Sequence, residues 1–135
     1  MFYNKVVGKQ GESIAEAFLR KKRYLFISRN YWAENGEIDL IFYRNFTLVF
    51  VEVKTRKNSD FGTGREAVDL LKQRCIKRTA KEFIRSHCVN NKVPFYIWKI
   101  PLYLKFRNIR YDVIEVSAKS ETEYEIYSHL MDYFR

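Results

Sequence analysis

The run from Thr47 to Thr55 constrains this chain most. It is rich in branched and aromatic residues and reads as a strand. Its alternation sorts the side chains into two sets. Val49, Val51 and Val53 share one face, while Leu48, Phe50, Glu52 and Lys54 share the other. The second face turns from apolar to charged in mid-strand, with Glu52 and Lys54 roughly 7 Å apart along it. A strand apolar at one end and charged at the other points to a site at its end.

The preceding strand, Glu37–Tyr43, is close enough in sequence for an antiparallel hairpin around Arg44-Asn45-Phe46. A four-residue turn over Arg44–Thr47 sets Asp39 opposite Glu52. A two-residue turn sets Asp39 opposite Phe50 and diagonal to Glu52, and a three-residue turn sends it to the wrong face. We expect a register in which Asp39 and Glu52 share a face. Two carboxylates so placed repel unless a proton or cation lies between them. Oxygen-only ligands suit a hard divalent ion, Mg²⁺ or Mn²⁺. Such an ion activates water and polarises a phosphoryl oxygen, and the Lys54 ammonium stabilises developing negative charge. Together these are the parts for phosphodiester hydrolysis. An acidic-x-Lys triplet on a strand is common by chance. The Asp39 partner strand and a net charge of +9 raise its standing.

Around this centre the chain reads as a single domain over residues 1–135, with a helix, three strands, a long helix, further strands and a last helix. Glu12–Lys22, after Gly8 and Gly11, is the first helix, and Tyr24–Tyr31 the first strand, with a turn at Asn35-Gly36. A polar loop over Arg56–Thr63 leads to the long helix, from Gly64 to about His87. Its apolar stripe is Val68, Leu71, Cys75, Ile76, Thr79, Ala80, Phe83 and Ile84. Phe95–Leu104 is strand-like but interrupted by Pro101, Arg110–Val116 is a strand, and Glu121–Phe134 is expected to be helical. A long helix between strands permits a crossover, hence a mixed sheet. No run reaches membrane-span length and no signal-peptide pattern opens the chain. Two cysteines give no disulfide framework, so a cytoplasmic setting is expected. His87 and His129 are too few for zinc and read as surface residues. Tyr96, Trp98 and Tyr103 are read as a buried edge strand in preference to a base-stacking surface.

Four motifs then follow in order: Gly8-x-x-Gly11-Glu12-x-x-Ala15, Gly36-Glu37-Ile38-Asp39-Leu40-Ile41, Val49-Phe50-Val51-Glu52-Val53-Lys54-Thr55-Arg56 and Arg110-Tyr111-Asp112-Val113-Ile114. Over residues 7–134 the chain resembles the YraN-like family. That family lies in the restriction-endonuclease-like PD-(D/E)xK nuclease superfamily, close to archaeal Holliday-junction resolvases. The resemblance implies an α/β fold with an α-β-β-β-α-β core. It implies Asp39 and Glu52 as metal ligands, Glu12 as a further acid on the metal, and Lys54 as the catalytic lysine. Lys72 and Gln73 match family positions and are expected on phosphate. Arg56, Lys57 and Lys77, in the basic stretches around them, are expected there too. Ile38 stands where the superfamily signature has proline. Asp112 matches a family position and is read as holding structure. The segment Val93–Lys105 is longer than relatives need and reads as an extra hairpin or an aromatic-basic arm.

The expected function is metal-dependent cleavage of branched or structured DNA in repair or recombination. Two sites per junction make a homodimer plausible on mechanistic grounds. The alternatives are a DNA-binding accessory protein with little or no cutting, and a basic scaffold for RNA or protein.

Overall fold

The structure is a computed structural model that describes residues 2–34, 36–57 and 68–135, with side chains from Val7 onward. The elements are α1 (Phe2–Lys21), β1 (Leu25–Ala33), β2 (Gly36–Arg44), β3 (Thr47–Lys57), α2 (Leu70–His87), β4 (Lys92–Ile97), β5 (Ile100–Lys105), β6 (Asn108–Ala118) and β7 (Tyr124–Phe134). Five strands form one sheet in the order β1-β2-β3-β6-β7. β3 and β6 run parallel and the other neighbours antiparallel, which makes the sheet mixed, as expected. β4 and β5 form a separate two-stranded sheet.

The alternation in β3 divides the core into two layers. Val49 and Val51 pack with Ala15 and Leu19 of α1. Leu48 and Phe50 pack with Ile76, Ala80 and Phe83 of α2. This is a small α/β domain whose sheet is covered by one helix on each side, consistent with a restriction-endonuclease-like fold.

Several expected boundaries and elements differ. α1 begins before both glycines. Gly11 lies where the helix crosses β3, and a Cβ there would overlap Thr55 Oγ1. That close approach explains a glycine in mid-helix better than a helix start does. α2 begins at Leu70, where the Asp69 carboxylate accepts a hydrogen bond from Lys72 N–H at 2.8 Å. Leu71, expected in the stripe, is exposed, because the buried face begins at Ile76. The expected loop and helix start at residues 58–67 lie outside the described residues, as does Asn35.

The last element is a strand where a helix was expected. Tyr124 and Ile126 join the α1-side core, whereas Leu130 and Phe134 join the α2-side core. Irregularities in the β6–β7 ladder shift its register twice, and Asp132 has φ 53°. Each extra residue flips the following side chains to the other face, which moves β7 from the α1-side core to the α2-side core. His129, expected at the surface, is buried here. Its ring meets Phe18 and Tyr24, and its Nε2 lies 2.8 Å from Asp112 Oδ2. Tyr96, Trp98 and Tyr103 do not lie in a buried edge strand. They are exposed on the hairpin formed by β4 and β5. The segment Val93–Lys105 forms an extra hairpin.

Candidate active site

The site forms where β2 leaves β3. The hairpin closes with Arg44 opposite Thr47, over a two-residue turn of Asn45 and Phe46, both with positive φ. The turn has two residues, one of the expected lengths, but its place one residue further on gives the register of the four-residue reading. Continued past Leu40–Val51, it sets Asp39 against Glu52. Regular pairing with β3 ends at Leu40–Val51, just short of Asp39, while pairing with β1 skips Asp39 and resumes at Ile38. The β1–β2 ladder pairs Arg29 with Leu40 and Tyr31 with Ile38, and Asn30 between them has φ 49°. On the other side, Val53 N–H donates to Asp39 Oδ2 at 2.8 Å. The carboxylate therefore takes a donor that would otherwise go to the ladder. The bend shows in the packing too: Ile38 and Ile41, three residues apart, lie in the same core layer.

The bend gathers acids from three elements. Ligand oxygens of Glu12 on α1 and of Glu37 and Asp39 on β2 all lie within 4.8 Å of one another. With its amide turned to satisfy both, Asn30 donates to Glu12 Oε1 at 2.7 Å and to Glu37 Oε1 at 3.0 Å. Glu52 is buried on β3, with Lys72 Nζ 3.9 Å from its Oε1. Lys54 and Lys72 both act electrostatically on Asp39 and on Glu52.

Crowding and burial hold these acids far from their ordinary titration. Burial, then the Asp39 and Glu37 charges, push Glu12 up to about 7. Burial raises Asp39 to about 6, against the pull of the Val53 N–H. Burial and the Asp39 charge raise Glu52 to about 8, with Lys72 and Lys54 opposing. A proton or a cation between such carboxylates relieves this cost. The donor set is all oxygen, so it fits Mg²⁺ or Mn²⁺. Glu12, Glu37 and Asp39 lie close enough together to hold one ion, and Glu52 adjoins them.

The expected phosphate contacts divide. Lys72 reaches the site, and Lys57 is exposed at the end of β3. Arg56 Nη1 lies 3.7 Å from Glu115 Oε2 on β6. Gln73 Nε2 donates to Val68 O at 3.0 Å, securing the start of α2. Lys77 Nζ lies over the Phe134 ring at 5.9 Å, against β7 rather than the acids. Asp112 is structural, as expected: Arg110 holds both its oxygens at 2.8 Å, beside His129 and the Asp132 N–H.

Glu37 and Asn30 were missed in the sequence. Glu37 was legible in principle, since it sits two residues before Asp39 on the same strand. Asn30 carried no signal, because its role depends on the β1–β2 register and a left-handed backbone.

The profile of the uncharacterised protein family UPF0102 matches residues 11–116. A UPF0102 protein of Alkaliphilus oremlandii is 39% identical over 131 residues, covering 97% of this chain and 99% of its own. One from Dictyoglomus thermophilum is 35% identical over 131 residues, covering 97% and 98%. One from Chloroherpeton thalassium is 45% identical over 84 residues, covering 62% and 65%. The matched span holds every acid of the bend in β2, from Glu12 to Glu52, and on that evidence the chain belongs to the UPF0102 (YraN) family, a PD-(D/E)xK-like family.

Proposed function

We propose that the protein is a metal-dependent DNA endonuclease acting on branched or structured DNA in repair or recombination. The observation that carries this reading is the convergence of Glu12, Glu37 and Asp39 within 4.8 Å, beside buried Glu52. A bound Mg²⁺ or Mn²⁺ supplies Lewis acidity toward a phosphoryl oxygen and lowers the pKa of water. The chain's residues do the rest. Glu12, Glu37 and Asp39 hold the ion, and Glu52 completes the acid set. Asn30 keeps Glu12 and Glu37 together. Lys54, at the open end of β3, meets the charge that develops on the phosphoryl group. Lys72, 3.9 Å from Glu52 Oε1, lies close enough to meet a neighbouring phosphate.

Backbone contacts of this kind carry no sequence information, so recognition rests on DNA shape. Cutting both strands of a junction calls for two copies of the chain, and a homodimer on DNA belongs to this proposal. So does cytoplasmic residence, with Cys75 and Cys88 as free thiols. Among the described residues no helix is long and apolar enough to cross a membrane.

The test is a cleavage panel of flap, fork, four-way junction, single strand and duplex with Mn²⁺. The expected result is cutting of a branched substrate that Lys54→Ala lowers at least a hundredfold and Asp39→Asn abolishes. Absence of cutting across the panel overturns the proposal. Equal cutting by both variants identifies a contaminant and overturns it equally.

A further inference from the structure

We propose that the hairpin of β4 and β5 is a DNA-binding arm that packs its exposed rings against unpaired bases and its lysines against phosphates. This rests on DNA being the substrate and concerns a surface apart from the acids. The root of the hairpin belongs to the core. Val93 and Phe106 are buried in the α2-side layer. Phe106 N–H donates to Asn91 O at 2.9 Å, and Tyr43 Oη donates to Lys105 O at 2.6 Å. Beyond the root the character reverses. Tyr96, Ile97, Ile100, Leu102 and Tyr103 are exposed, and Trp98 at the turn is 84% exposed. So much contiguous apolar surface marks a contact site.

Charge decides what covers it. From Val89 to Ile109 the chain has no carboxylate and four cations: Lys92, Lys99, Lys105 and Arg107. A second copy meeting the same patch about a twofold axis would set these cations against each other. The complementary partner is a polyanion that also offers apolar faces, and unpaired DNA offers both. The register supplies the platform. Tyr96 opposite Pro101 and Pro94 opposite Tyr103 place two tyrosines and two prolines on one face. The tyrosines are diagonal neighbours, roughly 7 Å apart, a spacing for successive bases. Phe95 opposite Leu102 and Ile97 opposite Ile100 make the other face wholly apolar, the chemistry of wedges that enter opened base steps. Lys99 Nζ lies 5.4 Å from the Trp98 ring, so charge accompanies the tip.

Position relates the arm to the acids. Its root is tied to the β2–β3 turn, where Arg107 N–H donates to Phe46 O at 2.8 Å and Asn108 pairs with Thr47. Glu52 stands five residues farther along β3, roughly 17 Å away. That is about five nucleotide rises of duplex. A branch point held at the root of the arm therefore presents a phosphodiester about five nucleotides away to the acids.

The two tryptophans, Trp32 and Trp98, make the test direct. In Trp32→Phe protein, Trp98 is the sole indole reporter. It is titrated in EDTA with forked DNA, with blunt duplex and with phosphatidylglycerol vesicles. The expected result is at least twofold quenching by the fork, at least tenfold tighter than by duplex and lost in high salt. Lys99→Glu with Tyr103→Ala should weaken fork binding at least tenfold with an unchanged melting temperature. Three outcomes overturn the proposal: no response to the fork, a blue shift with vesicles alone, or a dimer in sedimentation that Trp98→Ala dissociates. The cleavage proposal fails separately. Quenching by the fork with no cutting in Mn²⁺ leaves the arm and removes the nuclease. Cutting that the arm variants leave intact, with no quenching, does the reverse.

Discussion

Glu52 is buried beside another acid, with Lys72 only loosely paired to it at 3.9 Å. Near pH 8 its ionised form is costly without an ion, and that cost is removable. Glu52→Gln keeps the volume and drops the charge. The metal-free variant should be more stable than wild type near pH 8, on the order of 2 kcal/mol, and little changed near pH 5 where Glu52 holds its proton. Thermal melts in EDTA at the two pH values check this, and a destabilised variant near pH 8 would mean the lysines outweigh burial. Glu37→Gln should weaken Mn²⁺ binding about tenfold by calorimetry, since it removes one of three grouped oxygens. An unchanged affinity would strip Glu37 of the role assigned here. These residues also show what a sequence reveals. Glu52 and Lys54 were legible because period-two alternation needs no tertiary knowledge, and Asp39 followed once a hairpin register was assumed. Glu12 came only from the family resemblance, because a helix packed on the sheet leaves no local trace of which acid it presents. Asn30 was invisible because the bend that turns it inward is a property of three strands together.

Among the elements, α1 and β3 meet most closely at Gly11, and this contact reverses the usual effect of a helical glycine. Elsewhere Gly→Ala in a helix gains about 1 kcal/mol. Here the added Cβ overlaps Thr55 Oγ1 and lies 3.1 Å from Thr55 Cβ. Gly11→Ala should cost about 2 kcal/mol despite the better propensity. Thr55→Ala should recover most of that, because it removes the overlapping atom, an oxygen with no hydrogen-bond partner. Urea denaturation of both single variants and the double variant gives the coupling, and additive effects would show that α1 has room to shift. The same element scale explains the misread C-terminus. Tyr124, Tyr127, Leu130, Met131 and Phe134 match a helical stripe, yet only Tyr124, Leu130 and Phe134 pack on the cores, across two irregularities in the β6–β7 ladder, while Tyr127 and Met131 are exposed. Local periodicity holds only while the ladder is regular. β2 and β3 were regular up to Asp39 and were read correctly to that point.

Across the whole molecule, two buried acid groups pull stability in opposite directions with pH. Burial raises the Asp112 carboxyl, but His129, Arg110 and the Asp132 N–H outweigh it and hold the group below its ordinary value. Its contribution is present above the unfolded pKa, near 4, and is lost as pH falls. Glu12, Asp39 and Glu52 are raised, to about 7, 6 and 8. The folded chain then keeps protons that the unfolded chain has released, so stability falls as pH climbs from about 4.5 to about 8. The metal-free protein should be most stable near pH 5 and weaker at neutral pH. Mn²⁺ takes the place of those protons and binds only the folded state. It should raise the melting temperature most near pH 8 and hardly at all near pH 5. Asp39→Asn should make the alkaline limb shallower in EDTA, since burial still raises Glu12 and Glu52, and abolish the Mn²⁺ shift, leaving the acid limb alone. Asp112→Asn should do the opposite, losing on the order of 3 kcal/mol at neutral pH because Arg110 loses its buried partner. Melts of the three proteins from about pH 4 to 8.5, with EDTA and with Mn²⁺, separate the two groups. A metal-free maximum at neutral pH, or an Mn²⁺ shift that survives Asp39→Asn, would mean that the gathered acids do not form one cation site. If the profile holds, the bend in β2 makes the empty fold weakest at the pH where the ion binds best, and the cation is then part of what keeps the fold.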